Sequence, residues 1–392
     1  MEKRTLKIGI GLTVFLIVFM CLYEWREAKR NVIPLAFPEE TEGSTLEGYE
    51  EGEELIGYLV WNLQNQNLDG VLRGCAIEEL AQYFSLEYYI KYLNRFEEVE
   101  LIPPADTDSE AYRAITNARL AAEYAAAAEE LQRQLTGNGE IWRLLEIRED
   151  VPENPDGMYY QNREKICEII GARSLKEMIL YIGSGDEVLE LRCTLARYKK
   201  YWKLLSFHPL QDKDMEYIDI RKSTETVQTE LDLSAYQKDI LPCNYYIINN
   251  CSENDPEMLL ERFFLYLQRE DALSAMTYMD IYNQGEEKTV SSELLERQSM
   301  AALKLQEIYY RIFLSNTGYY DWIRRDLDDR GGDLATALST TNMLFSSFQR
   351  ITEVQNDGQK AEYVLEYVYE SQWLGIRVYL ENKNGWKITG IE

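Results

Sequence analysis

The sequence predicts an α+β protein in which one arrangement, helices first and strands last, is written twice in tandem. Two endings carry the first observation: "RYKKYWKLLSF" and "ENKNGWKITGIE" each set a Trp-Lys pair, Trp202-Lys203 and Trp386-Lys387, in a short strand-forming run, 184 positions apart. The second is at the front of each unit, where "IGYLVWNLQ" from Ile56 and "LERFFLYLQ" from Leu260 align without gaps at a separation of 204. The third is their shared period. Ile56, Leu59, Val60 and Leu63 match Leu260, Phe263, Phe264 and Leu267 at i, i+3, i+4 and i+7, one buried helix face in each copy. Helices followed by a run of strands define the α+β class.

The elements follow in chain order. Residues 6–25, "LKIGIGLTVFLIVFMCLYEW", contain a charge-free run from Ile8 to Tyr23. As a helix this run reaches about 24 Å, and Lys7, Tyr23 and Trp25 at its ends extend it to the interfaces of a roughly 30 Å hydrocarbon core. A basic leader before an apolar core also describes a cleaved signal peptide. Bulky Met20 before Cys21, with no small-x-small site, favours an uncleaved, single-pass anchor within residues 1–30. Lys3, Arg4 and Lys7 balance Arg26, Lys29 and Arg30, and the free amino terminus tips the orientation toward N-terminus inside, body outside the cytoplasm. Residues 31–53 then form an acidic spacer, because "PEETEGSTLEGYEEGEEL" from Pro38 holds eight Glu and no Lys or Arg and repels itself into an extended chain.

The first domain is expected over 54–208 and the second over 255–392, with an interdomain linker at 209–254. In the second, Asp255 is the expected N-cap and Pro256 the first helical residue. "SSFQRITEV", "KAEYVLEYVYE", "WLGIRVYLE" and "WKITGI" alternate as strands and are separated by Asn356-Asp357-Gly358, Ser371-Gln372 and Asn384-Gly385, hairpin signals that make an antiparallel meander. "KEMILYIG", "EVLELRCTLARY" and "YWKLLSF" give the same meander in the first copy, turned at Gly183-Ser184-Gly185-Asp186. The fronts of the units are farther apart than their ends, so the first domain carries about twenty extra residues. They are assigned to an inserted Ala-rich helix near 109–136, whose stripe of Leu120, Tyr124, Ala127, Leu131 and Leu135 is either packed on its own domain or open to another chain. Alternation along the closing strands places Trp202 and Trp386 inward, against the first helix of each unit near Leu59 and Phe263, and Lys203 and Lys387 outward.

"MLLERFFLYLQREDALSAMTYM" and the closing "NGWKITGIE" resemble the NTF2-like, cone-shaped α+β superfamily, in which a bent sheet wraps a long first helix. The resemblance covers 255–392 well and 54–208 more loosely, and it implies two such domains behind one transmembrane helix. The layout alone is similar to that of scaffold proteins of Gram-positive conjugation machines. Some members of the superfamily are small-molecule enzymes with an Asp inside the cone, so a ketosteroid-isomerase-like cone is the alternative the resemblance leaves open.

Chemistry is mostly excluded. A formal net charge of −27 with no basic stripe beyond the first thirty residues disfavours nucleic acid. His208 is the sole histidine, which removes His-dependent triads and multi-His metal sites. "DLDDRGGDLATA" from Asp326 fails as a calcium loop at Arg330 and Ala337, and "GSGDE" from Gly183 is a hairpin turn with no Lys for phosphate. Cys21, Cys75, Cys167, Cys193, Cys243 and Cys251 make no C-x-x-C pair. "CNYYIINNC" offers a disulfide, Cys243 to Cys251, in an oxidising compartment. No catalytic, metal or cofactor residues are assigned. The expected function is a membrane-tethered, extracytoplasmic binding or assembly module, with a protein partner or self-association. A ligand-binding or catalytic cone, or a component of a conjugation or secretion complex, is the alternative.

Overall fold

The computed structural model describes residues 48–93, 109–136, 141–150, 158–207, 218, 220–227, 229–238, 241–281, 290–317, 348–369 and 372–392. The anchor and most of the spacer, with His208 and the 326–337 loop, lie outside them. No helix among the described residues is long and apolar enough to cross a membrane.

The first half opens with α1 (Gly52–Gln64) and α2 (Leu68–Gly74), and the second with α7 (Pro256–Gln268) and α8 (Ala272–Met276). Their junctions correspond residue by residue. Gln66 and Glu270, 204 positions apart, both take left-handed φ values (55° and 60°) that end the first helix. The next residues, Asn67 and Asp271, both cap the second helix, accepting from Gly70 N at 3.2 Å and Ser274 N at 3.0 Å. Asp255 caps α7 as its sequence position predicts, accepting from Glu257 N at 2.8 Å.

Each half then has a long helix, α5 (Glu110–Thr136) and α9 (Ser292–Thr317), and an antiparallel sheet. The first sheet is β1 (Trp142–Glu149), β2 (Ser174–Ser184), β3 (Glu187–Tyr198) and β4 (Tyr201–Ser206) in that order, with β5 (Ile220–Lys222) also paired to β3. The second is β6 (Phe348–Asn356), β7 (Lys360–Tyr369), β8 (Gln372–Asn382) and β9 (Trp386–Ile391). The Asn-Gly turn closes as its chemistry requires, with Asn384 at φ +62° and Gly385 at φ +114°. A side chain on Gly385 would also meet Ser252 Oγ at 2.5 Å.

Trp202 and Trp386 hold corresponding positions in the backbone pairing. Trp202 N donates to Tyr49 O at 2.8 Å and Trp386 N to Glu253 O at 2.7 Å, acceptors again 204 apart. Two residues on, Leu204 bridges Cys75 and Ile388 bridges Met279, both in parallel. The rings are 6% and 4% exposed, Trp202 in one core with Leu59 and Trp386 in the other with Phe263.

The structure corrects three expectations. The Ala-rich helix is not an insertion, because α9 is its counterpart. Leu68 and Ala272 open α2 and α8 204 positions apart, while Glu110 and Ser292 open the long helices 182 apart. The surplus therefore precedes α5, where α3 (Ile77–Tyr83) and α4 (Leu86–Leu93) lie, and a further surplus holds α6 (Met158–Ile170) between β1 and β2. Nor is α5 confined to its own half. Ala111, Ala114, Ile115 and Ala118 are buried in the second core, whereas Ala121, Tyr124, Ala128 and Leu131 are buried in the first. The stripe of Tyr124, Ala127, Leu131 and Leu135, with Leu120 beside it, packs in the first core and is covered within this chain.

The third correction concerns 209–254. Parts of it are packed rather than free: Leu231 N donates to Leu144 O at 2.9 Å, and Tyr236 lies so close to Gly57 that an added Cβ would meet its ring at 2.6 Å. Beyond Leu241 the chain runs extended between the long helices, held by two buried amides. Asn117 of α5 accepts from Tyr246 N and donates to Asn244 O, both at 3.1 Å. Gln298 of α9 accepts from Ile248 N at 2.7 Å and donates to Tyr246 O at 3.2 Å. Tyr245 and Ile247 enter the first core and Ile248 the second. The described residues accordingly fall in one compact unit.

Two sheets sharing their long helices should unfold together. Trp202→Ala and Trp386→Ala, each expected to cost about 3–5 kcal/mol, should both lower a single calorimetric transition. Asn117→Ala, which strands two buried backbone groups at roughly 1–3 kcal/mol each, should lower the same one. Two separable transitions, each answering to one Trp, would show that the shared helices do not couple the sheets.

Candidate functional site: a buried lysine in a polar cleft

The space between α1, α5 and the inner face of the first sheet retains a cavity of about 10 Å³, lined by apolar side chains including Leu59, Leu131, Trp142, Leu180 and Phe207. Among the described residues no cluster of His, Cys, Asp and Glu could hold a metal ion.

Polar chemistry gathers instead on the outer face of that sheet. There Leu175, Ala196, Tyr198 and Leu205 form a small core with Ala76, Ile169 and Ile170, under helices contributed by the two extra segments. Lys203 shares this face. It was expected to point into solvent, but its side chain is only 3% exposed. Its Nζ donates to Arg73 O at 2.8 Å and lies 3.7 Å from Glu79 Oε1. The same Arg73 carbonyl accepts from Asn244 Nδ2 at 3.3 Å, and that amide nitrogen also donates to Cys75 O at 2.6 Å.

These groups border a cleft of about 230 Å³ between α3, the β3–β4 turn with Lys199, and residues 242–244. Glu78 and Glu79 lie on one side, Tyr83, Tyr198 and Tyr201 line it, and Cys243 and Asn244 close it. Tyr83 stacks on Tyr198 with ring centroids 6.0 Å apart, and Tyr198 donates to Ile170 O at 3.2 Å. Burial raises the Tyr198 hydroxyl and the Cys243 thiol above their ordinary pKa values, so both stay protonated at neutral pH. Two buried acceptors have no hydrogen-bond donor, Glu79 Oε2 and Asn244 Oδ1.

Cys243 and Cys251 are not bridged in the structure. The Cys243 Sγ donates to Tyr245 O at 3.1 Å and packs on the first core, while Cys251 packs on the second, because the extended segment between them spans the two. Leu59, Phe263, Trp202 and Trp386 are core residues and do not reach the cleft. Lys203, Glu79 and Asn244 were missed by the sequence reading. A signal was available in "YWKLLSF", where adjacent Leu204 and Leu205 break the alternation and mark a strand buried on both faces. "WKITGI" keeps the alternation, and Ile388 is buried beside half-buried Lys387 and Thr389.

Lys203→Met removes the donor to Arg73 O and the counter-charge beside Glu79, and should cost about 2–4 kcal/mol by urea unfolding. Adding Glu79→Gln should recover part of that loss. A fully additive pair of losses would show that the two groups do not interact.

No protein-family model and no curated protein matches the chain. Among solved structures, a cystatin-like protein from Ruminococcus gnavus ATCC 29149 is similar, with a TM-score of 0.63 at 21% identity over 86% of this chain and 87% of its own. A likeness at that identity concerns the fold alone. It extends over more of the chain than either half contains. The chain therefore has a mixed α+β, cystatin/NTF2-like fold with antiparallel sheets.

Proposed function

We propose that this chain is a binding or assembly module without catalytic activity: two NTF2-like units, tethered by a single membrane span within residues 6–25 and held outside the cytoplasm. The observation that carries the reading is the filled first cone. A small-molecule enzyme of this architecture needs an open pocket with a polar group inside it. Here the interior cavity of about 10 Å³ is apolar, and the buried Glu177 sits on the opposite face of the sheet, accepting from Thr194 Oγ1 at 2.9 Å. The shared helices support an assembly role in a second way, since they fix two sheets in one rigid relation and make a scaffold of the unit. The membrane placement rests on the charge-free run from Ile8 to Tyr23 and the acidic spacer after it.

The topology is tested with paired reporters fused after Glu392. A reporter active only outside the cytoplasm should work and a cytoplasm-only reporter should be silent; the reverse pattern would overturn the placement.

A further inference from the structure

Lys203 is held among groups whose hydrogen bonds do not close. Its ammonium carries three donors and its side chain is 3% exposed, yet among the described residues it makes one hydrogen bond, to Arg73 O at 2.8 Å. Glu79 Oε1, at 3.7 Å, balances its charge but lies beyond hydrogen-bond distance. Two buried oxygens of the same cluster have no donor, Glu79 Oε2 and Asn244 Oδ1. Buried polar groups are costly to leave unmet, and here three such deficits meet in one place.

Asn244 is 5% exposed, and its amide fits only one way round. Arg73 O and Cys75 O can only accept, so Nδ2 faces both, at 3.3 and 2.6 Å. Arg73 O thus holds the Lys203 and Asn244 nitrogens on one atom, no farther apart than those two hydrogen bonds laid end to end. A lysine nitrogen, a carboxamide and a carboxylate buried together are the three parts of an amide exchange: nucleophile, electrophile and proton carrier. Seating two of them on one carbonyl supplies the proximity that free side chains lack.

We propose that Lys203 and Asn244 join in an intramolecular isopeptide bond, with Glu79 as the proton carrier. Glu79 takes one proton from the Lys203 ammonium, and the amine so formed attacks Asn244 Cγ. The Nζ–Cγ bond forms and the Cγ–Nδ2 bond breaks. A second Nζ proton passes to Nδ2, which leaves as ammonia. Nothing is oxidised or reduced, and charge is conserved, because an ion pair becomes a neutral amide and a neutral carboxylic acid. The cleft of about 230 Å³, which all three residues line, takes up the ammonia. The product meets each deficit. Its amide has a single N–H, for which Arg73 O is already the acceptor, and the Glu79 acid has a proton to donate toward Oδ1. The bond fastens β4 to the segment joining the two halves, whether or not the chain is a binding module.

The test is the intact mass of the full-length chain, followed by a peptide map. The folded protein should be lighter than its sequence by one ammonia, and digestion should release one branched peptide containing both Lys203 and Asn244. Glu79→Gln keeps both bonding residues and should leave the chain at its full mass. Lys203→Arg keeps a charge and a donor and should do the same, with circular dichroism reporting whether each variant is folded. The wild-type mass decides the question even if neither variant folds: a full mass after prolonged incubation of the folded chain would overturn the bond. An Asn-Gly pair can also lose ammonia, as a succinimide at Asn138 or Asn384. A map that places the loss there, with Lys203 and Asn244 in separate peptides, would overturn it equally. A branched peptide at the wild-type level in Glu79→Gln would remove Glu79 from the mechanism.

Discussion

Two buried carboxamides hold this molecule together as one body. Asn117 and Gln298, 1% and 0% exposed, each make a donor-acceptor pair with the backbone of residues 244–248, as a neighbouring β-strand would. An extended chain threaded between two helices has no ladder of its own, and its amides would be buried without partners. Asn and Gln resolve this because each carries both a donor and an acceptor on one rigid plane. The connecting segment can therefore be dry and apolar, with Tyr245, Ile247 and Ile248 in the cores, instead of a solvated linker.

The arrangement of the long helices follows from that constraint. Once the connection lies between them, α5 and α9 must pack along each other, and Arg119 Nη1 reaches Gln306 Oε1 across the contact at 3.4 Å. Most alanines of α5 are buried, the first half of the helix serving the second core and the second half the first. Tyr124, fully buried, donates to Leu205 O at 2.8 Å, with Leu204 O 3.2 Å from the same hydroxyl, and so ties this helix to the closing strand. The two halves repeat each other in pairing and capping, yet neither has a core made only from its own residues.

What separates the halves is how their sheets are covered. The extra helices of the first half bury the outer face of its sheet and enclose Lys203 with Glu79. The second sheet keeps a polar outer face, where Arg377 pairs with Glu362 and Arg350 with Glu366, and Trp373 stands 57% exposed beneath Arg350. Equivalent Trp-Lys pairs thus have unlike fates. Lys203 is drawn into a hydrogen-bonded cleft because an insertion lies over it, and Lys387 is half-buried.

The α+β class, the amphipathic first helix of each half, the capping Asp255, the Asn-Gly turn and the two buried tryptophans were all legible in the sequence, because each depends on neighbours within a few residues or on a simple period. The burial of Leu205 beside Leu204 was legible too, and it shows that the first sheet is covered on both faces. Tertiary structure decided the rest. Which residues form the surplus depends on α9, whose partner face is visible only when α5 lies against it. The packing of 241–251 depends on Asn117 and Gln298, more than a hundred and about fifty positions away from it respectively. The cleft joins Glu79, Lys203 and Asn244 from three separate stretches of chain, and no local pattern records that meeting. Period and propensity act along the chain, whereas desolvation of a lysine or an amide is set by whatever the fold brings over it.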